Sequence, residues 1–169
     1  MANVQFTDNS MTVKAELNEA TIAFLYEAAG ELEAQVKRNQ RVGSTGQTKN
    51  SWTYVVDESK GTAVVGNPLQ NAIWEEFGTG QYALNGDGRK GWWVYVDDGE
   101  HPKSYTPKNQ KIYTYHEALE IYRFLKSQGL DAHITRGKAP HRAFHRAFTS
   151  LKPALIRRSQ EVMKARFRE

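Results

Sequence analysis

Two histidines stand four residues apart in the sequence, a spacing that can place both side chains on one face of a helix and hold a metal ion. They are His141 and His145. No acidic residue falls between them, and the neighbouring Arg142 and Arg146 would repel a cation. The sequence therefore favours a polar surface over a metal site at this position.

Two pairs of adjacent carboxylates, Glu75–Glu76 and Asp97–Asp98, lie beside aromatic residues. Carboxylates next to aromatic rings are typical of glycoside-hydrolysing sites, where two carboxyl groups face each other at about 5 to 9.5 Å. Adjacent residues on a helix point in different directions, and a small chain offers little cleft. The pattern favours Glu75 or Glu76 pairing with a basic neighbour or facing solvent, and a small hydrolase is the least favoured hypothesis.

The segment 78–91 contains five of the thirteen glycines of the chain. It lacks the G-x-x-x-x-G-K-[ST] spacing of a phosphate-binding loop, and it follows a predicted helix instead of a strand. The sequence has no G-x-S-x-G motif and no cysteine, so neither a nucleophile elbow nor a thiol nucleophile is available. We predict that the chain is not an enzyme and uses no cofactor and no metal.

The 169 residues suit a single domain spanning 1–169. The net charge of +4 is uneven, because residues 137–169 hold nine Lys/Arg against two Glu. A basic tail on a more acidic body is typical of proteins that bind a polyanion or an acidic neighbour. No apolar run approaches the roughly 20 residues of a membrane helix, and the N-terminus lacks a signal-peptide pattern. We expect a soluble protein, made in a cytoplasm, that does not contact a membrane.

Hydrophobic periodicity predicts a helix from about residue 19 to 39, with Asn18 as its N-cap. Segments 52–57 and 62–66 are rich in β-branched and aromatic residues and flank a glycine-containing turn, which predicts a hairpin. A short helix follows, beginning at the NPLQ sequence, and Gly78 is placed to end it in the left-handed conformation.

For the second half of the chain, the sequence predicts further strands and two helices. The elements are strands 92–97 and 111–116, a helix over 117–129, a short strand over 130–135, and a last helix with Pro140 in its first turn. Pro153 predicts a kink or a new helix start near residues 149–150. The result is an α+β fold: a small, mostly antiparallel sheet flanked by long N-terminal and C-terminal helices, with long loops.

The predicted strand 92–97 carries large aromatic residues on both faces. Alternation places Trp92 with Val94 on one face. Trp93 and Tyr95 share the other face. One face belongs in the core, and the other is either an exposed aromatic interface or is covered by a helix or a second chain.

Three segments resemble those of one protein family. STGQTKNS (44–51) resembles a TG-x-L-x-x-S signature, although Thr48 stands where an apolar residue is usual. VGNPLQNAIWEEFGTG (65–80) is similar to a strand end and short helix that finish in EFGTG, the most specific element. RGKAPHRAFHRAF (136–148) resembles the segment that opens the last helix. In this order, over roughly residues 17–165, they resemble the neck or tail-completion proteins of long-tailed bacteriophages.

The resemblance implies a structural protein of the virion, without an active site, that is synthesised in the cytoplasm of the bacterial host. It implies a ring of identical subunits at the head–tail junction, with sixfold symmetry favoured over twelvefold. The ring would complete the tail and join it to the head around the DNA path. Its partners would be neighbouring neck proteins and tail-tube or terminator proteins, with genomic DNA in the lumen. Segment 98–131, a loop plus a helix, is longer than the family loop and is interpreted as an insertion.

The long loops and the aromatic strand supply a candidate interface, which comprises Gly78, Thr79, Gly80, Tyr82, Trp92, Trp93, Asp97, Asp98, Glu100 and Tyr105. The basic C-terminal helix is expected to contact a partner or the DNA path, through Lys152, Arg157, Arg158, Lys164, Arg166 and Arg168. The alternative function is a nucleic-acid-binding domain that uses this helix. Rings at modest salt favour the first function, and salt-sensitive DNA binding by a monomer favours the second.

Overall fold

The computed structural model describes residues 10–43, 46–97, 103–106 and 111–166. Their contacts divide the chain into two compact units. Unit 1 combines residues 1–69 with 143–169, and unit 2 is the continuous segment 70–142. Long helices and two small antiparallel sheets confirm the α+β class. That the whole chain forms one domain stays a prediction.

Unit 1 is built on two long helices, α1 (Ser10–Asn39) and α5 (Ala143–Arg166), which contact each other. The buried face of α1 includes Leu32 and Val36, one helical turn apart. The predicted start of α1 was wrong, since Asn18 lies inside the helix. Segment 10–18 contains Ala, Leu, Glu, Lys and Met and neither Gly nor Pro, so helix propensity carries the helix further toward the N-terminus.

Helix α5 runs through Pro153 without a break, so the predicted new start near residues 149–150 was wrong. Proline removes one backbone donor and crowds the preceding turn. Here Pro153 lies on the exposed side, while Ala147 and Ala154, seven residues apart, share the face toward the unit interior. Packing on both sides of the proline therefore keeps one helix. Pro140 also lies before α5 and not in its first turn, because Arg142 has a φ of 57° that interrupts helical geometry.

The predicted hairpin of unit 1 is confirmed as β1 (Thr53–Asp57) and β2 (Thr62–Gly66), which pair antiparallel and contact α1. A single turn, α2 (Gln47–Asn50), precedes it. Between them, buried Trp52 stacks on Phe144 with ring centres 5.7 Å apart. Its indole N–H donates to the Gln40 side chain at 3.2 Å, so the polar atom of this large residue is satisfied.

Unit 2 contains helices α3 (Gln70–Phe77) and α4 (Tyr115–Ser127) and a short 3-10 turn, Gly80–Tyr82. Its three-stranded antiparallel sheet has β3 (Trp93–Val96) at the centre, between β4 (Lys103–Ser104) and β5 (Ala132–Thr135). One sheet face packs on α4 to form a core of Val94, Val96, Ala118, Leu125 and Ala132. The helix interpreted as part of an insertion therefore supplies core residues.

Segment 111–116 is not the predicted strand. Only Tyr113 makes a bridge, to Trp92, and α4 begins at Tyr115. The reason is a capping box, in which the side chains of Thr114 and Glu117 each accept a hydrogen bond from the other's backbone N–H. This local motif stabilises the helix start against the strand preference of the aromatic and β-branched residues around it.

Candidate functional site

Two segments far apart in sequence meet in unit 2 and form a backbone joint. The N–H of Thr79 donates to the carbonyl of Lys138 at 2.9 Å, and the N–H of Gln81 donates to the carbonyl of Arg136 at 3.1 Å. The hydroxyl of Thr79 accepts a third bond, from the N–H of Lys138 at 3.0 Å. The joint, defined as residues 79–81 with 136–138, therefore fixes the loop after α3 against the chain that leaves β5.

Glycine is required on both sides of the joint. Gly78, Gly80 and Gly137 all have positive φ, of 74°, 60° and 115°. A Cβ at Gly80 would overlap the Arg136 carbonyl and the Trp93 ring, and a Cβ at Gly137 would overlap the Thr79 carbonyl. These residues combine a left-handed backbone with an approach that no side chain permits.

Glu75, at the C-terminal end of α3, also contacts the chain segment that follows β5. Its carboxylate forms an ion pair with the ammonium of Lys138, and its carbonyl accepts the N–H of His141 at 2.6 Å. The second carboxylate oxygen is buried and has no hydrogen-bond partner in the described part of the chain. Of the predicted alternatives, a basic partner or exposure to solvent, the structure shows the basic partner for Glu75.

Two arginines of unit 2 lie against aromatic rings. The guanidinium of Arg136 is 5.4 Å from the ring centres of both Tyr82 and Trp92. The guanidinium of Arg89 lies 5.1 Å from the ring centre of Trp93. At these distances the cations gain from the electron-rich ring faces.

The two arginines differ in their remaining bonds. Arg89 donates to the carbonyl of Thr106 at 2.7 Å, to the hydroxyl of Thr106 at 3.0 Å and to the hydroxyl of Ser104 at 3.2 Å. Burial lowers the pKa of Arg89, although the group stays protonated. Arg136 is exposed and forms no ion pair with any residue that the structure describes.

A groove of about 410 Å³ lies beside the joint. Gly80, Trp93 and Arg89 contribute to its lining. Its apolar lining also includes four residues of which between 44% and 58% is exposed, namely Ile73, Trp74, Phe77 and Leu84. Concentrated exposure of large apolar side chains marks an interaction surface.

The two tryptophans of the predicted aromatic strand are both half-buried. Trp92 contacts the ring of Tyr115 edge-on, with ring centres 4.9 Å apart. On the other face Trp93 is covered by Arg89, and Tyr95 stacks on His133 at 5.2 Å. Of the two alternatives, burial on both faces therefore describes this strand better. The exposed apolar side chains of the groove lie on α3 and at Leu84.

The other predicted interface residues lie in different surroundings. Gly78 and Gly80 are buried, Thr79 and Tyr82 are half-buried, and Asp97 and Tyr105 are exposed. Asp98 and Glu100 lie outside the described residues. The joint brings Thr79 and Gly80 beside Arg136, which sequence analysis missed because its partners are more than 40 residues away along the chain.

The basic residues predicted to form a binding surface on α5 lie in different surroundings, and the binding itself stays a prediction. Lys152, Arg157 and Lys164 are exposed. Arg158 is instead half-buried, and its guanidinium pairs with Glu27 and Glu31 of α1, so its assignment to an outward basic surface was wrong. These pairs raise the pKa of Arg158, chiefly through the hydrogen bond to Glu31. The side chain of Arg166 and all of Arg168 lie outside the described residues.

The two histidines do not lie on one helix as the sequence predicted, because α5 begins at Ala143 and His141 precedes it. Across residues 10–43, 46–97, 103–106 and 111–166, no three His, Cys, Asp or Glu side chains are grouped to hold a metal ion. Within those same ranges, no helix has the length and apolar character to cross a membrane.

Comparison with known proteins found no matching family model, no matching curated protein and no matching solved structure.

Proposed function

We propose that this chain is a structural protein of the head–tail junction of a long-tailed bacteriophage. In the proposal, identical copies form a ring, sixfold in preference to twelvefold, which completes the tail and joins it to the head. The protein acts by contact and not by catalysis. Neck proteins and tail-tube or terminator proteins would bind its two ends, with DNA passing through the ring.

The observation that supports the proposal is the contact between the segments that carry the sequence resemblance. The side chain of Asn67, in segment 65–80, donates to the carbonyl of Thr48, in segment 44–51, at 2.7 Å. The end of segment 65–80 then pairs with segment 136–148 through Thr79 and Lys138. Sequence signals chosen one by one thus occupy mutually bonded positions, as parts of one structural pattern would.

The surfaces of the chain also suit assembly. The exposed apolar side chains of α3 provide area that contact with another protein can bury. A stable interface buries more than about 1,000 Å² in total. A head-to-tail contact between identical subunits closes into a ring when its rotation allows.

The decisive experiment is an amber mutation in the gene for this chain, in the phage that carries it. We expect filled heads and separate tails in the lysate, seen by negative-stain electron microscopy. Adding the purified protein should restore joined particles, and class averages of the junction should show a ring of this chain. Joined, infectious particles made without the protein would overturn the proposal.

The alternative is nucleic-acid binding by α5, favoured by one observation: Lys152, Arg157 and Lys164 are exposed along the helix. Binding through them predicts an affinity that falls with salt, with a log–log slope of about one unit per phosphate contact. Fluorescence anisotropy of a labelled 20-base-pair DNA, measured between 50 and 200 mM salt, separates the functions. The double variant Arg157→Gln, Lys164→Gln tests whether the same helix is responsible.

A further inference from the structure

We propose that one side of α5, in unit 1, is a docking surface for an acidic amphipathic helix of a partner protein. The surface is named the exposed stripe of α5 and consists of Phe148, Lys152, Ile156 and Met163. The inference deepens the proposed function, because a joining protein needs contacts of this kind, and it rests on that function for the partner's place in the virion.

The exposed stripe of α5 runs along one side of the helix. At about 100° per residue, Phe148, Ile156 and Met163 fall within roughly 80° of the helix circumference. Lys152 falls between them. The three apolar residues are 42%, 48% and 40% exposed, whereas Ala147, which lies outside this arc, is fully buried. The stripe is therefore distinct from the side of α5 that packs in the interior of unit 1.

The shape of the stripe matches a second helix. The positions of Phe148 and Met163 are separated by about 22 Å along the axis, at 1.5 Å per residue. Such a straight row of side chains is complementary to the apolar side of an amphipathic helix, whose apolar residues recur every three or four positions. An extended peptide would instead pair with unpaired backbone groups, which belong to a sheet edge and not to the middle of a helix.

The charges along the stripe favour an acidic partner. Lys152, Arg157 and Lys164 are exposed and have neither an ion pair nor a hydrogen bond within the part of the chain that the structure describes. Arg157 and Lys164 each follow a stripe residue and lie about 100° to the same side of it. Glu161, the single acidic residue in the sequence of α5, lies on the opposite side of the helix. Carboxylates on a partner helix therefore meet cations that are unpaired in the described structure.

Two other occupants fit the stripe less well. An isologous contact between two copies of α5 would place Lys152 of one copy near Lys152 of the other, and like charges oppose association. DNA phosphates would pair with the cations but leave Phe148, Ile156 and Met163 in water, whereas a helix with an apolar side buries them. A basic margin combined with an apolar centre therefore favours a protein.

The probe is a library of 21-residue peptides, displayed on messenger RNA and selected on the immobilised full chain. Each peptide carries Leu, Ile, Phe or Val at helical spacing, and its other positions are Glu, Lys or Gln at equal frequency. We expect Glu to be enriched over Lys in the selected peptides. A proline at the centre of the most enriched peptide should abolish binding, because it breaks the helix.

Two pairs of variants locate the binding on the stripe. Ile156→Gln should weaken the most enriched peptide about fivefold or more. Ile112→Gln is its matched control, since Ile112 is 69% exposed but belongs to unit 2. Lys152→Gln should weaken binding about two- to fivefold at 50 mM salt and less at 500 mM. Its control is Lys90→Gln, which removes an exposed lysine of unit 2. Thermal unfolding checks that each variant is folded.

Equal enrichment of Glu and Lys, or equal peptide binding by the Ile156→Gln and Ile112→Gln variants, overturns the proposal. Self-association of the purified chain that Ile156→Gln abolishes, measured by sedimentation velocity, assigns the stripe to a second copy and also overturns it. Displacement of the peptide by a 20-base-pair DNA at 150 mM salt assigns the stripe to nucleic acid, with the same consequence. If the peptide results hold but the amber mutant still joins heads and tails, the docking surface stands and its place in the virion is wrong.

Discussion

The two units use different means to hold their interaction surfaces. In unit 1 the basic surface lies on α5, a regular helix held by side chains such as Ala147 and Arg158 that pack on or pair with neighbours. In unit 2 the surface is held by backbone atoms, at the joint where Gly80 and Gly137 leave no space for a Cβ. A helix surface therefore tolerates many substitutions, whereas a backbone joint depends on a few residues.

The largest expected effect tests the joint. Gly80→Ala should lower the free energy of unfolding by about 3 kcal/mol, since it combines a left-handed backbone with overlap onto Arg136 and Trp93. Urea unfolding measures the loss. The control is Gly86→Ala, because Gly86 also has a positive φ, of 74°, but nothing lies within 4 Å of its Cβ position. That variant should lose only about 1–2 kcal/mol, the cost of the left-handed backbone alone. Equal losses in the two variants would show that the close contacts of the joint do not add to this cost.

The same contrast explains what the sequence could predict. The hairpin and the end of α3 at Gly78 follow from local signals, a turn between β-branched runs and a glycine after the last apolar residue. The joint could not be predicted, because the partner of Thr79 lies at Lys138 and no local spacing records such a contact. The contacts of Arg136 with Tyr82 and Trp92 could not be predicted for the same reason.

One incorrect prediction had a local sequence signal that indicated the right structure, and two others depended on tertiary packing. Thr114 and Glu117 form the T-x-x-E pattern of a capping box, but the aromatic run KIYTYH outweighed it and predicted a strand. The pairing of Arg158 with α1 needed knowledge of which face of α5 packs. Pro153 predicted a break by local rule, and tertiary packing overrode it.

In unit 1, replacing a glycine of α1 by alanine should stabilise the protein instead of destabilising it. Gly30 lies inside α1, and an added Cβ would contact the Tyr54 ring at 3.7 Å, an ordinary van der Waals distance. Gly30→Ala should therefore raise the free energy of unfolding by about 0.5–1 kcal/mol through helix propensity. Ala23→Gly, at an exposed position of the same helix, should lower it by a similar amount. A loss in Gly30→Ala would show that α1 needs close approach there.

A smaller effect is expected at the ion pairs between the helices of unit 1. Arg158→Gln should lower the melting temperature at low salt, because it removes the pairs with both Glu27 and Glu31. Arg157→Gln removes the same charge from an exposed side chain of α5 and should lower the melting temperature less. Calorimetry at 20 mM and 1 M sodium chloride should show the gap between the two variants closing, since salt screens exposed pairs. A gap that persists at high salt would mean that Arg158 acts by packing.

The smallest effect tests the start of α4 in unit 2 through its pH dependence. Hydrogen bonds from Lys111 and from Thr114 lower the pKa of Glu117 from 4.5 to about 2. The folded state thus has the lower pKa, so the stability from this carboxylate is present above about pH 4.5. It is lost as the pH falls toward 2.

The melting temperatures of the wild type and Glu117→Gln, followed by circular dichroism from pH 6 to pH 2, check this prediction. Glutamine still accepts the N–H of Thr114, so the substitution removes the charge and keeps the capping bond. The wild type should melt higher at pH 6, and the difference should vanish near pH 2. Glu120→Gln, at an exposed position of α4, controls for the general effect of acid. A difference that is constant over this range would mean that the ion pair with Lys111 does not stabilise the helix start, and that the capping bonds alone hold it.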